Sequence, residues 1–390
     1  MKLPIYLDYN ATTPVDERVL GQMMPFFTEH YGNASSKGHP FGWAAEEAVE
    51  QAREAVAECL GADADEIVFT SGATEAINAA MKGVAGAYAR KGRHLVTVQT
   101  EHKAVLDTCR ALERQGFTVT YLPVHPNGLL DLDALDAALT AETILVAVMW
   151  ANNETGVLQP IPEIAERLRG RGILLMTDAT QAVGKIPVSV AHADLLVCSG
   201  HKVYGPKGVG ALYVRRRSPR VRLVPLVDGG GQEQGVRGGT LNVPGIVGMG
   251  AALRLAQAEM HLDAAPLQRL RDRLETALIG RLPAVKVNGL AGPRLPQTAN
   301  ITFGGVEAAK LLMALRDVAV SSGSACTSGS NKPSHVLNAM GLPDEDALAA
   351  LRFSLGRFTT ADEIDYAIDH IVAAVNQLRE TITFTKSEIL

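Results

Sequence analysis

The chain has 390 residues, 47% of them apolar and 20% charged, with a formal net charge of −5 at pH 7. That length exceeds one core of ordinary size and predicts two domains. Acids and bases are mixed without a basic block, and no apolar run reaches the ~18 residues that span a bilayer, so no nucleic-acid or membrane partner is expected. The amino terminus, Met1 to Asp8, lacks an apolar signal core, and export is not expected. Four irregularly spaced cysteines (Cys59, Cys109, Cys198 and Cys326) form neither a zinc pattern nor a disulfide framework. A reducing cytoplasm fits that usage.

From about residue 15 to 255, strand-like and helical runs alternate. The predicted strands are 66–70, 94–98, 118–121, 144–149, 173–177, 195–198 and 210–214, and several are apolar on both faces. Helical patterns lie between them at 44–60, 75–89, 102–115 and 161–169. Such a βαβ series predicts an α/β fold: a mostly parallel seven-stranded sheet with helices on both faces and ligands at the carboxyl ends of its strands. The closeness of the last two runs predicts one antiparallel strand.

From about residue 256 the pattern becomes α+β. Long helices at 264–282 and 361–378 flank short strands near 286–288 and 299–303. The expected division is a large domain over 15–255 and a smaller one built from 1–14 and 256–390. Two segments resist regular assignment: Val227 to Gly239, rich in Gly and Gln, and Ser321 to Lys332, rich in Ser and Gly. Loops of that length inside a compact enzyme are usually functional.

One rim of the predicted sheet concentrates the chemistry. The apolar run 195–198 leads straight into Ser199-Gly200-His201-Lys202, and the run 173–177 ends in Asp178, followed by Gln181. A lysine at one strand end and an acid at another suit pyridoxal 5'-phosphate: the amine forms a Schiff base and the acid keeps the pyridine nitrogen protonated. Ser71-Gly72-Ala73-Thr74-Glu75 opens a helix after a strand and can receive an anion, or be only an N-capped helix with Glu75 in its first turn. His102 and Asn153 also follow strands. His102 could stack on a ring, move a proton or cap a loop. Taken together, Thr74, His102, Asn153, Asp178, Gln181, Ser199, His201 and Lys202 occupy one rim, which decides for the cofactor. Lys185 and Lys207 compete poorly with Lys202, since neither follows a strand end.

Cys326 differs from the other cysteines. Those three have apolar neighbours and read as small buried residues. Cys326 stands in Val320-Ser321-Ser322-Gly323-Ser324-Ala325-Cys326-Thr327-Ser328, where a thiolate could attack and then be carried elsewhere. In Leu351-Arg352-Phe353-Ser354-Leu355-Gly356-Arg357, either arginine could close on an amino-acid carboxylate, and spacing does not choose between them.

These motifs, together with Tyr6 to Pro14, Tyr31 to Ser36, Thr100-Glu101-His102, Asn152 to Gly156 and Arg237-Gly238-Gly239-Thr240, resemble the cysteine desulfurases of the NifS/IscS type. Those belong to the class-V aminotransferase group of fold-type I pyridoxal phosphate enzymes. The Ser-Ser-Gly-Ser-Ala-Cys-Thr-Ser run resembles the branch with the longer active-site loop. The resemblance implies conversion of L-cysteine to L-alanine, with Cys326 carrying the sulfur as a persulfide to an acceptor for iron–sulfur cluster assembly or tRNA thiolation. It implies that Lys202 carries the cofactor, His102 lies over the ring, Asp178 pairs with the ring nitrogen, and Gln181 and Asn153 address its oxygen and the substrate. Ala73, Thr74, Ser199, Gly200 and His201 would surround the phosphate, joined by Thr240 from the other subunit of a homodimer. Arg352 would grip the cysteine carboxylate. No intrinsic metal is implied, although Cys326 could reach a cluster shared with a scaffold protein. The alternatives on the same scaffold are an aminotransferase or a selenocysteine lyase. A non-enzymatic scaffold is a third, and intact Asp178 and Lys202 speak against it.

Overall fold

The computed structural model describes residues 2–322 and 332–387. Its strands are β1 (Ile5–Tyr6), β2 (Ile67–Thr70), β3 (His94–Val98), β4 (Thr118–Leu122), β5 (Thr143–Ala147), β6 (Leu174–Asp178), β7 (Leu195–Ser199), β8 (Gly210–Val214), β9 (Val285–Val287), β10 (Thr298–Phe303), β11 (Val318–Ala319) and β12 (Ala350–Ser354). Strands β2 to β8 form one seven-stranded sheet in the order β2-β8-β7-β6-β5-β3-β4. All its pairings are parallel except those of β8, which runs antiparallel to both β2 and β7. The single antiparallel strand matches the expected one.

Every residue of β2, β3, β5, β6, β7 and β8 is buried, as the continuous apolar runs require. The two-residue period divides them between two cores. Leu175, Leu196 and Cys198 point into one cluster, whereas Leu174, Met176, Leu195 and Val197 point into the other. Each fully buried aliphatic side chain contributes roughly 1.5–3 kcal/mol, so a one-residue slip in register would forfeit both cores.

A helix of 39 residues, Val243–Arg281, extends well upstream of the expected 264–282. Two glycines in its first half serve close packing: a Cβ on Gly248 would sit 2.5 Å from Met23 Sδ, and one on Gly250 2.7 Å from the Ala52 Cα. This helix buries Ala252 and Leu253 in the first core and Leu274 and Leu278 in a third. At 1.5 Å per residue it spans about 58 Å.

The third core also holds Ile5, Leu7, Phe303 and Phe353. There β12 pairs antiparallel with β10, setting Arg352 opposite Asn300, and β10 pairs with β9. Strand β12 was not anticipated from sequence. Two segments distant in sequence flank it: Asp8 bridges Ser354, and Ser321 bridges Arg352. No helix among the described residues is long and apolar enough to cross a membrane.

Candidate active site

The carboxyl ends of β2, β6 and β7 open onto a cavity of about 570 Å³. Lys202 and Asp178 both line it, with Ala73, Thr74, His102, Asn153, Gln181, Ser199, His201 and Arg352. Two other predicted site residues, Gly200 and Thr240, are not in the lining. Gly200 is buried in the turn behind the cavity, where a Cβ would meet Val209 Cγ1 at 3.0 Å. Thr240 is exposed and outside the lining. Cys326 falls outside the described residues.

The turn that carries Lys202 is short. Strand β7 ends at Ser199, and residues Gly200–Lys202 form one 3₁₀ turn. The Lys202 ammonium donates to the carbonyls of Asn10 (2.5 Å) and Ala11 (2.7 Å). Thr13 in turn donates its backbone N–H to the His201 carbonyl (2.9 Å), so the amino-terminal segment and the lysine turn hold each other. Asp178 is 7% exposed, and one carboxylate oxygen accepts from the Thr180 N–H (3.0 Å).

The helix Ala73–Tyr88 starts without any side-chain cap, which leaves its first N–H groups facing the cavity. Glu75 does not cap it. Its carboxylate accepts from the Ser71 N–H (2.8 Å) and pairs with Arg237 (2.9 Å), and this holds it below the usual carboxylate range despite partial burial. Gly72 adopts φ +152°, and a Cβ on Gly210 would lie 2.6 Å from its Cα, so two glycines let strand and helix start meet. His201 stands nearby with Nδ1 3.1 Å from the Thr12 hydroxyl. Burial first, then the charges of Lys202, Lys207 and Lys185, push its pKa down to about 4.

His102 Nδ1 accepts from the Ala104 N–H (3.1 Å), so the neutral ring carries its proton on Nε2. Beneath it, Glu101 is fully buried and accepts from the Met149 N–H (2.7 Å). Burial, with Asp178 close by, raises the Glu101 carboxyl well above its ordinary value.

The structure separates the two arginines that spacing left open. Arg357 pairs with Asp16 (3.2 Å), Glu259 (3.0 Å) and Asp263 (2.9 Å) and lies over the Tyr204 ring at 4.7 Å, away from the cavity. Arg352 is 4% exposed and reaches the cavity, donating to the Asn153 carbonyl (2.9 Å) and Asp8 (2.7 Å). Its backbone exchanges two hydrogen bonds with Ser321, immediately before the cysteine segment.

Against known proteins, residues 5–367 match the family model described as Aminotransferase class-V. The chain belongs to the class-V aminotransferase family. A protein named cysteine desulfurase IscS from Anaeromyxobacter sp. (strain Fw109-5) is 57% identical over 97% of this chain and 94% of its own length. One of the same name from Klebsiella pneumoniae is 56% identical over 97% and 95%. Among solved structures, a NifS-like protein superposes with a TM-score of 0.87 at 37% identity, covering 98% of this chain and 100% of its own. SspA in complex with cysteine gives 0.81 at 39%, covering 91% and 100%. Enzymes of this family use pyridoxal 5'-phosphate, and the cavity fits it. It offers an uncapped helix start for an anion, an amine, a buried carboxylate, and two buried oxygens without a hydrogen-bond partner, Asn10 Oδ1 and Thr180 Oγ1.

Several lining residues were not singled out from sequence as site residues: Asn10, Ala11, Thr12 and Met149. The first three come from the amino-terminal segment, which no strand-end pattern could attach to this rim. The remaining thiols behave as expected of small core residues. Cys109 and Cys198 are buried and Cys59 half-buried, and burial raises all three pKa values, Cys59 to about 11 and Cys109 to about 12. None is paired. The described residues hold no group of His, Cys, Asp and Glu suited to a metal.

Proposed function

We propose that this chain is a cysteine desulfurase that converts L-cysteine to L-alanine and passes the sulfur to Cys326 as a persulfide. The carrying observation is that Lys202, Asp178 and Arg352 line one cavity. The cofactor supplies an electron sink next to the substrate Cα. Lys202 would hold it covalently and, once released, move the Cα proton. Asp178 would keep its ring nitrogen protonated, His102 would lie over the ring, and Gln181 and Asn153 would address its oxygen and the substrate. The uncapped Ala73–Thr74 helix start, Ser199 and His201 would hold its phosphate, with the turn at Gly200 letting the backbone approach. Arg352 would bind the substrate carboxylate. The Cys326 thiolate would attack the substrate sulfur; the Cβ–S electron pair stays on carbon, and protonation there completes L-alanine.

Supporting this choice over transamination, the curated relatives carry the desulfurase name across nearly the whole chain, and a structural neighbour holds cysteine. From Cys326 the sulfur would leave by thiol exchange to an acceptor, an iron–sulfur scaffold or the tRNA-thiolation machinery, and a cluster shared with the scaffold could be ligated there. Incubation with L-cysteine and reductant, assaying alanine and sulfide together, tests this. In a parallel incubation without reductant, mass spectrometry should find one added sulfur on Cys326, whereas a keto acid without alanine would reject the assignment.

The working form would be a homodimer. Phe27, Tyr31, Phe41 and Trp43 are 57%, 66%, 50% and 53% exposed, and exposed aromatics so close in sequence favour a covered face. Exposed Thr240 could then reach the partner's phosphate site. Sedimentation should show twice the chain mass. We also propose the division into 15–255 and 1–14 with 256–390, supported by the separate third core, with the helix Val243–Arg281 running through the boundary. Unpaired thiols support a cytoplasmic setting.

A further inference from the structure

Lys185 has no place in the chemistry above, yet it reaches the same site. It lies four residues after Gln181 in a tight helical turn, where the backbone N–H groups of Val183, Lys185 and Ile186 bond the carbonyls of Ala179, Ala182 and Ala182. Gly184 at φ +73° turns the chain, and a Cβ there would come within 2.8 Å of Ala256. Half-buried, Lys185 donates from Nζ to Gln181 Oε1 at 2.9 Å. Gln181 is 5% exposed, and its Nε2 donates to the Asn10 carbonyl at 2.9 Å.

These two bonds specify the carboxamide from both ends. A carbonyl can only accept, so Nε2 must face Asn10, and this leaves Oε1 to accept from the Lys185 Nζ. The same Asn10 carbonyl takes the Lys202 ammonium. Lys185 therefore connects through Gln181 and Asn10 to the cofactor lysine.

We propose that Lys185 is a positioning residue: its bond to Oε1 locks Gln181 so that only the second N–H of Nε2 is presented to the cofactor's ring oxygen. The assignment rests on the cofactor reading given above. Without Lys185 only the Asn10 carbonyl orients the amide, so a turn that brings its oxygen inward costs one hydrogen bond instead of two, and that oxygen would repel an anionic ring oxygen instead of stabilising it. The charged and titratable groups around Lys185 are Lys202, Arg352 and His201 toward the cavity and Tyr9, Tyr204 and Asp263 around a small void of about 30 Å³ behind it. Burial, and then the two cations, lower its pKa to about 7.

The experiment is a double-mutant cycle on the holoenzyme reconstituted with pyridoxal phosphate, using Lys185→Met, Gln181→Ala and the pair. The readout is the pH midpoint of the visible absorbance band, together with KM and kcat for L-cysteine. Lys185→Met should raise the midpoint by about one unit, a tenfold change in the proton equilibrium, and Lys185→Arg should restore it. The pair should shift no further than Gln181→Ala alone. Lys185→Ala serves as a second truncation, and the apoprotein melting temperature tracks folding. Additive shifts, or a midpoint unmoved by removing Lys185, would overturn the proposal, since a role through field or packing alone persists without Gln181. A visible band that survives in Lys202→Ala would overturn the cofactor reading itself, and this proposal with it.

Discussion

The rim of the large sheet and the wall formed by β12 supply the same cavity by different means. On the rim, Asp178, Ser199 and Lys202 sit within three residues of a strand whose every side chain is buried, so the strand's own packing aims them. On the wall, Arg352 is aimed by long-range partners: Asn300 across the strand pair, Ser321 along its backbone, and Asp8 and Asn153 at its guanidinium. The first arrangement is local and rigid. The second depends on four separate stretches of chain being in register.

Replacing Lys202 by Ala should do most to sharpen the contrast. It should abolish the visible absorbance of the holoenzyme and lower turnover by roughly 10³-fold or more, with the fold intact by circular dichroism. Arg352→Ala comes next. Losing a charge-assisted contact to the substrate carboxylate should cost about 3 kcal/mol, or roughly 100-fold in kcat/KM for L-cysteine, carried mainly by KM. An unchanged KM would mean that the wall does not hold the substrate.

Glu101 probes the rim's foundation. Glu101→Gln keeps a neutral acceptor for the Met149 N–H and should change stability by less than about 0.5 kcal/mol, whereas Glu101→Ala leaves that donor buried and should cost about 1–3 kcal/mol in denaturant titrations. If the two variants are equally destabilised, the carboxyl is ionised in the folded state. The last test is His201 in the apoprotein, where partial exposure and screening reduce the effect. Its folded pKa of about 4 lies below its ordinary 6.5, so the unfolded chain takes up the proton first as pH falls. Stability should therefore decline between pH 6.5 and about 4, and less steeply in His201→Gln. Thermal melts across that window check it.

The rim was legible in the sequence because each of its residues directly follows an apolar run, and a parallel sheet brings all such ends to one side. The same rule placed β8 antiparallel from the shortness of its connection. Legibility stopped where partners are distant. Nothing in Tyr6 to Pro14 links it by pattern to Lys202, although Asn10 and Ala11 hold that amine. Lys185, two residues past Val183, looked misplaced because a strand-end criterion ignores an i to i+4 turn that brings it back onto Gln181. The helical patterns read from sequence omit the first half of Val243–Arg281, where Gly248 and Gly250 are required by the closeness of Met23 and Ala52, which no local pattern shows.

By itself, the sequence determined the α/β class, the cofactor and the rim residues, since hydrophobic period and strand-end chemistry are properties of short stretches. Only the tertiary structure decided which arginine enters the cavity, which carbonyls hold the lysine, and how Gln181 is turned. Each of those depends on contacts between residues more than a hundred positions apart or on a turn's exact path, and no local pattern encodes either.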